Sequence, residues 1–425
     1  MRRWLIRLGV GAVVLIIVLV VAAKLLLRSG FAAHKVEAQL EEVTGGAPVH
    51  IGALDIGATG SSLQDLQFAE AGAKQGSSPW ATVPIVDADI PLTQLLRGDL
   101  GGGVVTLKGP KLTFRLDRNN KLLTQLPNFG GPSHAWPEFR IENARITFRR
   151  EGAVDAVFSG ISGTIRKQGD HITLDGAAND TEWGKWKITG EQADANAPFR
   201  IDLNTADLRA TPDKLRKVPF VPSVTWEHVM LDGETPVNLT LQFGGSGSGP
   251  AVRYRVALAP KDTTVQVPSI DLTTRNTSGK ALIEDGVVTL NDVDAKVAGG
   301  TLFLVKSVMD FRGEGSEMQF NVSADRLALR DLPAKWGLPK LDGRLNGRAE
   351  MHVSVKNGQV RTSGGGSGTI EGFLSQTVQV KMVANERGYR FDISNAPGAK
   401  ATPGGLAPKG RHNLAQGVSP GSTAP

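Results

Sequence analysis

Apolar and polar residues alternate with a period of two through most of the chain, and this pattern limits the fold more than any other feature. Successive side chains of a β-strand point to opposite faces, so each such segment has one apolar and one polar face, as is typical of antiparallel sheet. Glycine-rich turns, among them Lys356-Asn357-Gly358, separate the segments and are hairpin signals. The clearest segments are Leu112/Phe114/Leu116, Ala144/Ile146/Phe148, Val237/Leu239/Leu241, Met318/Phe320/Val322 and Met351/Val353/Val355. The body of the chain is therefore predicted to be mainly β.

Helices are predicted to be few and short. Pro91 to Leu96 and Pro212 to Lys217 each suffice for one or two turns. Leu329 to Trp336 is a further candidate, because Gly337 and Pro339 follow it and would end a helix. None of these segments is long enough to cover a large sheet.

The N-terminus is predicted to be a membrane anchor. The stretch from Leu8 to Ala23 contains no polar side chain, and flanking apolar residues extend it to a length that spans a bilayer as a helix. Arg2, Arg3 and Arg7 precede it, which favours an N-terminus kept in the cytoplasm. The alternative is a cleaved signal peptide, which would need a small-residue cleavage site directly after the apolar run. A retained, single-pass anchor fits the sequence better.

The basic charge of the chain lies at its two ends. The formal net charge is +6, but the N-terminal 30 residues carry five cations without an acid, and residues 395–425 carry three. Removing those eight charges leaves about −2 for the body. Nucleic acid is therefore not expected as a partner, since its binding depends on clustered cations. The chain has no cysteine, which excludes disulfides and thiolate metal sites.

Composition divides the chain into four regions. Residues 1–30 form the cytoplasmic N-terminus and the anchor, 31–250 an N-terminal and middle β region, and 251–394 a C-terminal β region. Residues 395–425 are rich in proline, glycine and alanine with almost no bulky apolar side chain. Such a tail cannot bury enough surface to offset its ordering entropy, so it is predicted to be disordered.

Catalytic motifs are absent from the sequence. It contains no phosphate-binding loop, no dinucleotide-binding glycine motif, no nucleophile elbow and no zinc-protease motif, and its seven histidines are scattered. Asp87 and Asp89, and Asp292 and Asp294, have the spacing of paired carboxylates on one strand face, but the solvated face of an amphipathic strand explains them better. The chain is predicted not to be an enzyme and to use no metal or cofactor.

Two tryptophans, Trp183 and Trp186, flank Gly184-Lys185. Tryptophan has a large apolar ring with one hydrogen-bond donor, so such a pair suits a membrane surface or a stacked ligand. Ordinary burial is the simpler reading of the pair.

Four segments resemble the AsmA family of bacterial envelope proteins, which is related to bridge-like lipid transfer proteins. The first, GGAPVHIGALDIGATGSSLQDLQFAE (45–70), is similar to the strand pair that follows the anchor in that family. The second, VPIVDADIPLTQLLRGDLGGGVVTLKGPKLTF (83–114), has the family's order of strand, short helix and strand. IEDGVVTLNDVDAKVAGGTLFL (283–304) resembles the phrase in which a glycine pair re-enters a strand, and 338–374 resembles the glycine-containing C-terminal strands.

The resemblance implies an elongated, curved antiparallel sheet that forms an apolar groove in the periplasm, tethered to the bacterial inner membrane. It implies that the groove holds or conducts phospholipid and supports outer-membrane biogenesis. The partners would be inner-membrane lipids together with outer-membrane or periplasmic envelope proteins. Candidate groove residues, taken from the alternating positions, are Leu112, Phe114, Leu239, Leu241, Phe320 and Val353.

Alternation alone also fits a packed β-sandwich, because both architectures give each strand one apolar face. Two other functions stay open at this point. One is an envelope scaffold that assists outer-membrane protein assembly without carrying lipid. The other is an envelope hydrolase whose site is assembled only by the fold.

Overall fold

The computed structural model describes residue 41 and residues 46–56, 60–74, 77–89, 103–118, 122–125, 137–194, 197–218, 230–243, 252–267, 271–313, 315–334, 342–356, 359–373, 376–385 and 388–395. Within these ranges almost all regular structure is β-strand, so the protein is mainly β, as the alternation predicts. The predicted anchor with Arg2, Arg3 and Arg7, the short helix at 91–96 and the C-terminal tail lie outside the described residues.

Strands follow one another along the described chain with few interruptions. They are β1 (Val49–Ile56), β2 (Ser61–Phe68), β3 (Ala81–Asp89), β4 (Val104–Lys108), β5 (Lys111–Leu116), β6 (Glu138–Arg150), β7 (Ala156–Gln168), β8 (His171–Asp180), β9 (Gly184–Gln192), β10 (Phe199–Ala210), β11 (Met230–Phe243), β12 (Val252–Leu258), β13 (Thr263–Val267), β14 (Leu272–Glu284), β15 (Val287–Val297), β16 (Gly300–Asp310), β17 (Gly315–Ala328), β18 (Arg344–Lys356), β19 (Gln359–Phe373), β20 (Gln376–Asn385) and β21 (Gly388–Asn395).

Within the described ranges, two short helical segments lie between strands. Helix α1 (Pro212–Lys217) has the bounds that the sequence predicts. A 3-10 turn covers Leu329–Asp331, which is shorter than the predicted segment. Leu332, directly after the turn, is extended with a ψ of 150°. Because Leu332 precedes Pro333, whose ring disfavours helical backbone at the preceding residue, the turn cannot continue.

The described residues belong to two compact units. Unit 1 holds those of Met1–Leu208, Lys217–Phe220 and Asn238–Tyr254. Unit 2 holds those of Arg209–Arg216, Val221–Val237 and Arg255–Pro425.

Unit 1 is a sheet in which neighbouring strands follow chain order. β1, β2 and β3 form an antiparallel meander, and β6 to β10 form another. Between them, β4 and β5 both pair antiparallel with β3 and both run parallel to β6, for example with Leu112 opposite Ile146. This parallel pairing departs from the antiparallel sheet predicted from alternation. A parallel pair needs a crossover of a dozen or more residues, and the chain between β5 and β6 is long enough to supply one.

Unit 2 is antiparallel throughout its described pairings. β12 and β13 lie end to end against β14, and β11 pairs with β13. From β14 to β21 each strand pairs with the next in the chain. The glycine pair at 299–300 lies at the hairpin between β15 and β16.

Bulges interrupt several of the long strands. Asn143 in β6, Asp292 in β15 and Arg326 in β17 have φ of 53°, 50° and 52°. The register of β16 against β17 shifts between Leu304 and Val308. A bulge bends its strand and increases the local twist, so these strands curve within their own sheets.

One end of unit 2 has a compact apolar core. Leu329 of the 3-10 turn and Leu332 directly after it fold over this end. Hydrogen bonds from the N–H of Ala328 to Ala298 O at 2.8 Å and from the N–H of Leu329 to Gly343 O at 3.1 Å hold the turn in place. The cluster comprises Leu302, Leu327, Leu329, Leu332, Ile370, Val378, Val380 and Phe391.

Among the residues that the structure describes, no helix is long and apolar enough to cross a membrane.

Candidate apolar binding face

One face of unit 2 is apolar across consecutive strands. Phe320 of β17 lies opposite Met351 of β18, and Met318 lies opposite Val353. Val322 continues this face, with Leu304 of β16 opposite it. We call this surface the apolar face of unit 2. It is formed mainly by Val293, Leu302, Leu304, Met309, Met318, Phe320, Val322, Leu345, Ala349, Met351, Val353, Val380, Met382 and Phe391.

The opposite face of the same strands is polar, and several of its side chains are joined by hydrogen bonds between neighbouring strands. The amide of Gln319 donates to Glu350 at 3.0 Å, and the hydroxyl of Ser354 donates to Glu317 at 2.7 Å. His352 lies 3.0 Å from another oxygen of Glu317. Water therefore solvates this side, and burial has to be sought on the apolar face.

The apolar face is buried at one end, and several of its central residues are only half-buried. At the core end, Leu327 is 1% exposed and Ile370 is 1% exposed. Phe320, Met351 and Val353 are only half-buried, although each is large and apolar. In a packed sandwich a facing sheet would bury such central residues. Among the described residues, extensive contacts between elements are confined to strands that neighbour each other in the sheet.

Glycines give the apolar face of unit 2 a floor without side chains. Gly347 of β18 lies opposite Gly368 of β19, and Gly366 lies opposite Ala349. A Cβ at Gly368 would lie 2.2 Å from Asn346 O, and one at Gly366 would lie 2.7 Å from Arg348 O. The neighbouring backbones are too close here for any side chain. A strip of bare backbone, which we call the glycine floor, therefore runs between the larger side chains of the apolar face.

Unit 1 has its own apolar face, on which the candidates Leu112 and Phe114 lie. They lie opposite Ile146 and Phe148 of β6 and are half-buried. The ring of Phe114 belongs to a series of ring contacts that crosses several strands. Its centroid lies 5.4 Å from that of Phe148.

Five rings form this row, which we call the aromatic row. Trp80 lies 6.1 Å from Phe114 at one end, and Phe158 lies 6.0 Å from Phe148 and 4.9 Å from Trp183 at the other. The indole N–H groups of Trp80 and Trp183 are buried and have no acceptor among the described residues. The three phenylalanines between them are half-buried, so the middle of the row is less buried than its two ends.

Asp180 fixes the far end of the aromatic row. Its carboxylate accepts hydrogen bonds from the N–H and the hydroxyl of Ser159 at 2.7 and 2.6 Å, and from the N–H of Glu182 and Trp183 at 2.7 and 2.8 Å. Burial alone would raise the pKa of Asp180, but the hydrogen bonds from Ser159, Trp183 and Glu182 outweigh it and hold the pKa below its ordinary value. Asp180 is therefore a structural carboxylate that stays ionised.

Leu239 and Leu241 lie on the apolar side of β11. Between them the hydroxyl of Thr240 donates to Asp202 of β10 at 2.6 Å, which fixes that position on the polar side. Because side chains alternate, the two leucines point to the opposite side and are half-buried there.

All six predicted groove residues are thus half-buried side chains on apolar faces. Phe320 and Val353 come together on neighbouring strands of unit 2, and Leu112 and Phe114 share β5 of unit 1. Sequence reasoning missed Met351 as the partner of Phe320, because register is set by turns and bulges that it did not resolve.

The two aspartate pairs of the sequence analysis take part in the fold, Asp87 through its partners and Asp292 through a bulge. Asp87 accepts from the hydroxyl of Ser62 at 2.8 Å and lies 2.7 Å from Lys108 Nζ. The hydrogen bond from Lys108 lowers the pKa of Asp87 against the opposing effect of burial, with help from Ser62. The bulge at Asp292 breaks the period of two before Asp294. No group of three or more potential metal ligands occurs among the described residues.

No protein-family model, curated protein or solved structure matches this chain. Membership of the AsmA family stays a prediction.

Proposed function

We propose that this chain holds phospholipid acyl chains against its apolar β-sheet face and moves phospholipid at the bacterial inner membrane in support of outer-membrane biogenesis. The observation that carries the proposal is that Phe320, Met351 and Val353 are only half-buried at the centre of a continuous apolar face. A packed core would bury these residues, whereas a lipid-binding face has to remain open until lipid covers it.

The chemistry of the two faces supports an acyl chain as the occupant. Each methylene that moves from water onto the apolar face and becomes fully buried contributes about 0.8 kcal/mol. The glycine floor at Gly347 and Gly368 provides a lane without side chains, which suits a long, unbranched chain. The polar face behind it stays hydrated, so both the lipid and the sheet keep their polar groups in water.

The location and the partners are part of the same proposal. An N-terminal anchor with Arg2, Arg3 and Arg7 on its cytoplasmic side would keep the sheet in the periplasm next to the inner-membrane lipids. Outer-membrane or periplasmic envelope proteins would receive the lipid.

The test is transfer of a fluorescent phospholipid from donor to acceptor vesicles by the full chain reconstituted in donor membranes. Phe320→Asp places a charge on the apolar face and should reduce transfer to background. Asn321→Asp adds the same charge one residue away on the polar face and should leave transfer unchanged. Absence of transfer by the unmodified chain, or an equal loss in both variants, would reject the proposal and leave a scaffold without lipid as the better reading.

A further inference from the structure

The polar face of unit 2 contains an open groove of about 820 Å³ that crosses β16 to β21. A groove of this size can hold a small organic molecule. It lies on the side of the sheet opposite the apolar face and does not depend on the proposed lipid function. The side chains that line it include Phe303, Val305, Ser323, Arg348, Ser367 and Lys381.

Four hydrogen-bond donors stand in one row across this groove. Ser323 lies opposite Arg348, Arg348 lies opposite Ser367, and Ser367 lies opposite Lys381. Residues directly opposite each other on antiparallel strands project from the same face, so the guanidinium and the ammonium flank the Ser367 hydroxyl. Their Cα atoms are two strand spacings apart, about 10 Å. Both long side chains can therefore reach one small anion above Ser367.

Within the described structure, none of these four donors has a partner. With the described residues, neither Arg348 nor Lys381 makes a hydrogen bond or ion pair, and neither do the hydroxyls of Ser323 and Ser367. This contrasts with other charged groups on the same face, such as His352 with Glu317. Two unpaired cations and two free hydroxyls in one row form a ready set of donors for an oxyanion.

One carboxylate also lines the groove. Glu350 accepts from the amide of Gln319 at 3.0 Å, which is a neutral donor and leaves the charge of Glu350 in place. Asp392, opposite Lys381, accepts from Arg390 at 3.2 Å. The charged side chains that line the groove are thus Arg348, Lys381 and Glu350, with a net charge of one positive unit.

An apolar wall adjoins the row of donors. Phe303 lies opposite Ser323, and Val305 is 53% exposed, which is unusual for a large apolar side chain on a polar face. The occupant should therefore carry an organic body beside its anionic group.

We infer that this groove binds an organic phosphate. Its phosphate oxygens accept from Arg348, Ser367 and Lys381, and its organic body lies against Phe303 and Val305. A phosphate offers several acceptor oxygens to a guanidinium fork and an ammonium at once, which suits this spacing of donors better than a single carboxylate does.

Calorimetric titration of the full chain in a non-ionic detergent tests the site. We expect phenyl phosphate to bind and inorganic phosphate to bind more weakly, because it lacks the body that contacts Phe303. Arg348→Gln and Lys381→Gln should each weaken phenyl phosphate binding by about tenfold. Phe303→Ala should weaken phenyl phosphate binding and leave inorganic phosphate binding unchanged.

Lys356→Gln is the matched control. Lys356 is on the same face of β18 as Arg348 and about 26 Å along the strand, beyond the range of unscreened charge interactions. This change should affect binding less than twofold, about the experimental scatter. Equal losses in the control and in Arg348→Gln would overturn the inference, since only a diffuse charge effect would then be present.

A lipid headgroup and a soluble phosphate share this chemistry, and a second arm of the experiment separates them. Binding of soluble phenyl phosphate that depends on Arg348 indicates a soluble ligand. Binding only of micelles containing phosphatidate, again dependent on Arg348, indicates a lipid headgroup. If neither probe binds, the inference is wrong.

Discussion

The carboxylate of Asp180 accepts a hydrogen bond from the backbone N–H of Trp183 at 2.8 Å, across the turn between β8 and β9. This contact sets the position from which the Trp183 ring stacks on Phe158 at 4.9 Å. One buried carboxylate thus connects the backbone of a turn to the aromatic row on the apolar face of unit 1.

Asp180→Ala should lower the free energy of unfolding by about 3 kcal/mol, because several backbone N–H groups would lose their acceptor in a buried site. Chemical denaturation followed by tryptophan fluorescence measures this. Asp207→Ala serves as the comparison, since it removes the carboxylate of an exposed aspartate in β10. The comparison variant should change stability by less than about 1 kcal/mol. Equal effects of the two changes would mean that the Asp180 network does not order the turn.

The contact between Gly347 and Gly368 predicts a sharp difference between glycines of the same strand. Gly368→Ala would put a Cβ 2.2 Å from Asn346 O and should destabilise the protein by about 2–3 kcal/mol. Gly365→Ala meets only Met382 O at 3.3 Å and should alter stability by less than about 1 kcal/mol. Thermal unfolding of the two variants measures the difference. Comparable stabilities would show that the backbones are not in close contact at Gly368.

Arg312 should control the titration of Asp310 at the turn after β16. Its Nε donates to Asp310 Oδ1 at 2.9 Å, and hydrogen bonds from Arg312 lower the pKa of Asp310 from 3.8 to about 2. A carboxyl with a lowered pKa stabilises the fold above pH 3.8, and that stabilisation is lost as the pH falls towards 2. Because the pair lies at the surface, where water screens it, the contribution to stability is small.

Arg312→Gln should therefore raise the pKa of Asp310 towards its ordinary value, as measured by NMR titration of the carboxyl carbon. Lys356→Gln is the control and should leave the pKa of Asp310 in place. An Asp310 pKa that does not respond to loss of Arg312 would contradict the assigned cause.

A charge at Leu241 should act like one at Phe320 if unit 1 also contacts lipid. Leu241→Asp should reduce phospholipid transfer severalfold, because it places a charge where an acyl chain would lie. Gln242→Glu places a charge on the adjacent, opposite-facing residue and should have no effect. Full transfer by Leu241→Asp would restrict lipid contact to unit 2.

Alternation in the sequence was enough to predict a β protein and the face on which Phe320 and Val353 lie. It could not predict that β4 and β5 run parallel to β6, because direction depends on the connection and not on the period. The alternation also did not predict the bulge at Asp292, because a bulge adds one residue to a strand without a change in residue types. The aromatic row from Trp80 to Trp183 and the row from Ser323 to Lys381 each depend on the register of several strands, which a single sequence does not specify.

The most direct test of lipid on the apolar face is photo-crosslinking at two adjacent positions. The full chain is produced in bacterial cells with benzoylphenylalanine replacing either Phe320 on the apolar face or Asn321 on the polar face, and is then irradiated and analysed by mass spectrometry. Lipid-sized mass additions at position 320, and none at position 321, are the predicted result. No lipid adduct at position 320, or equal adducts at both positions, would contradict the account.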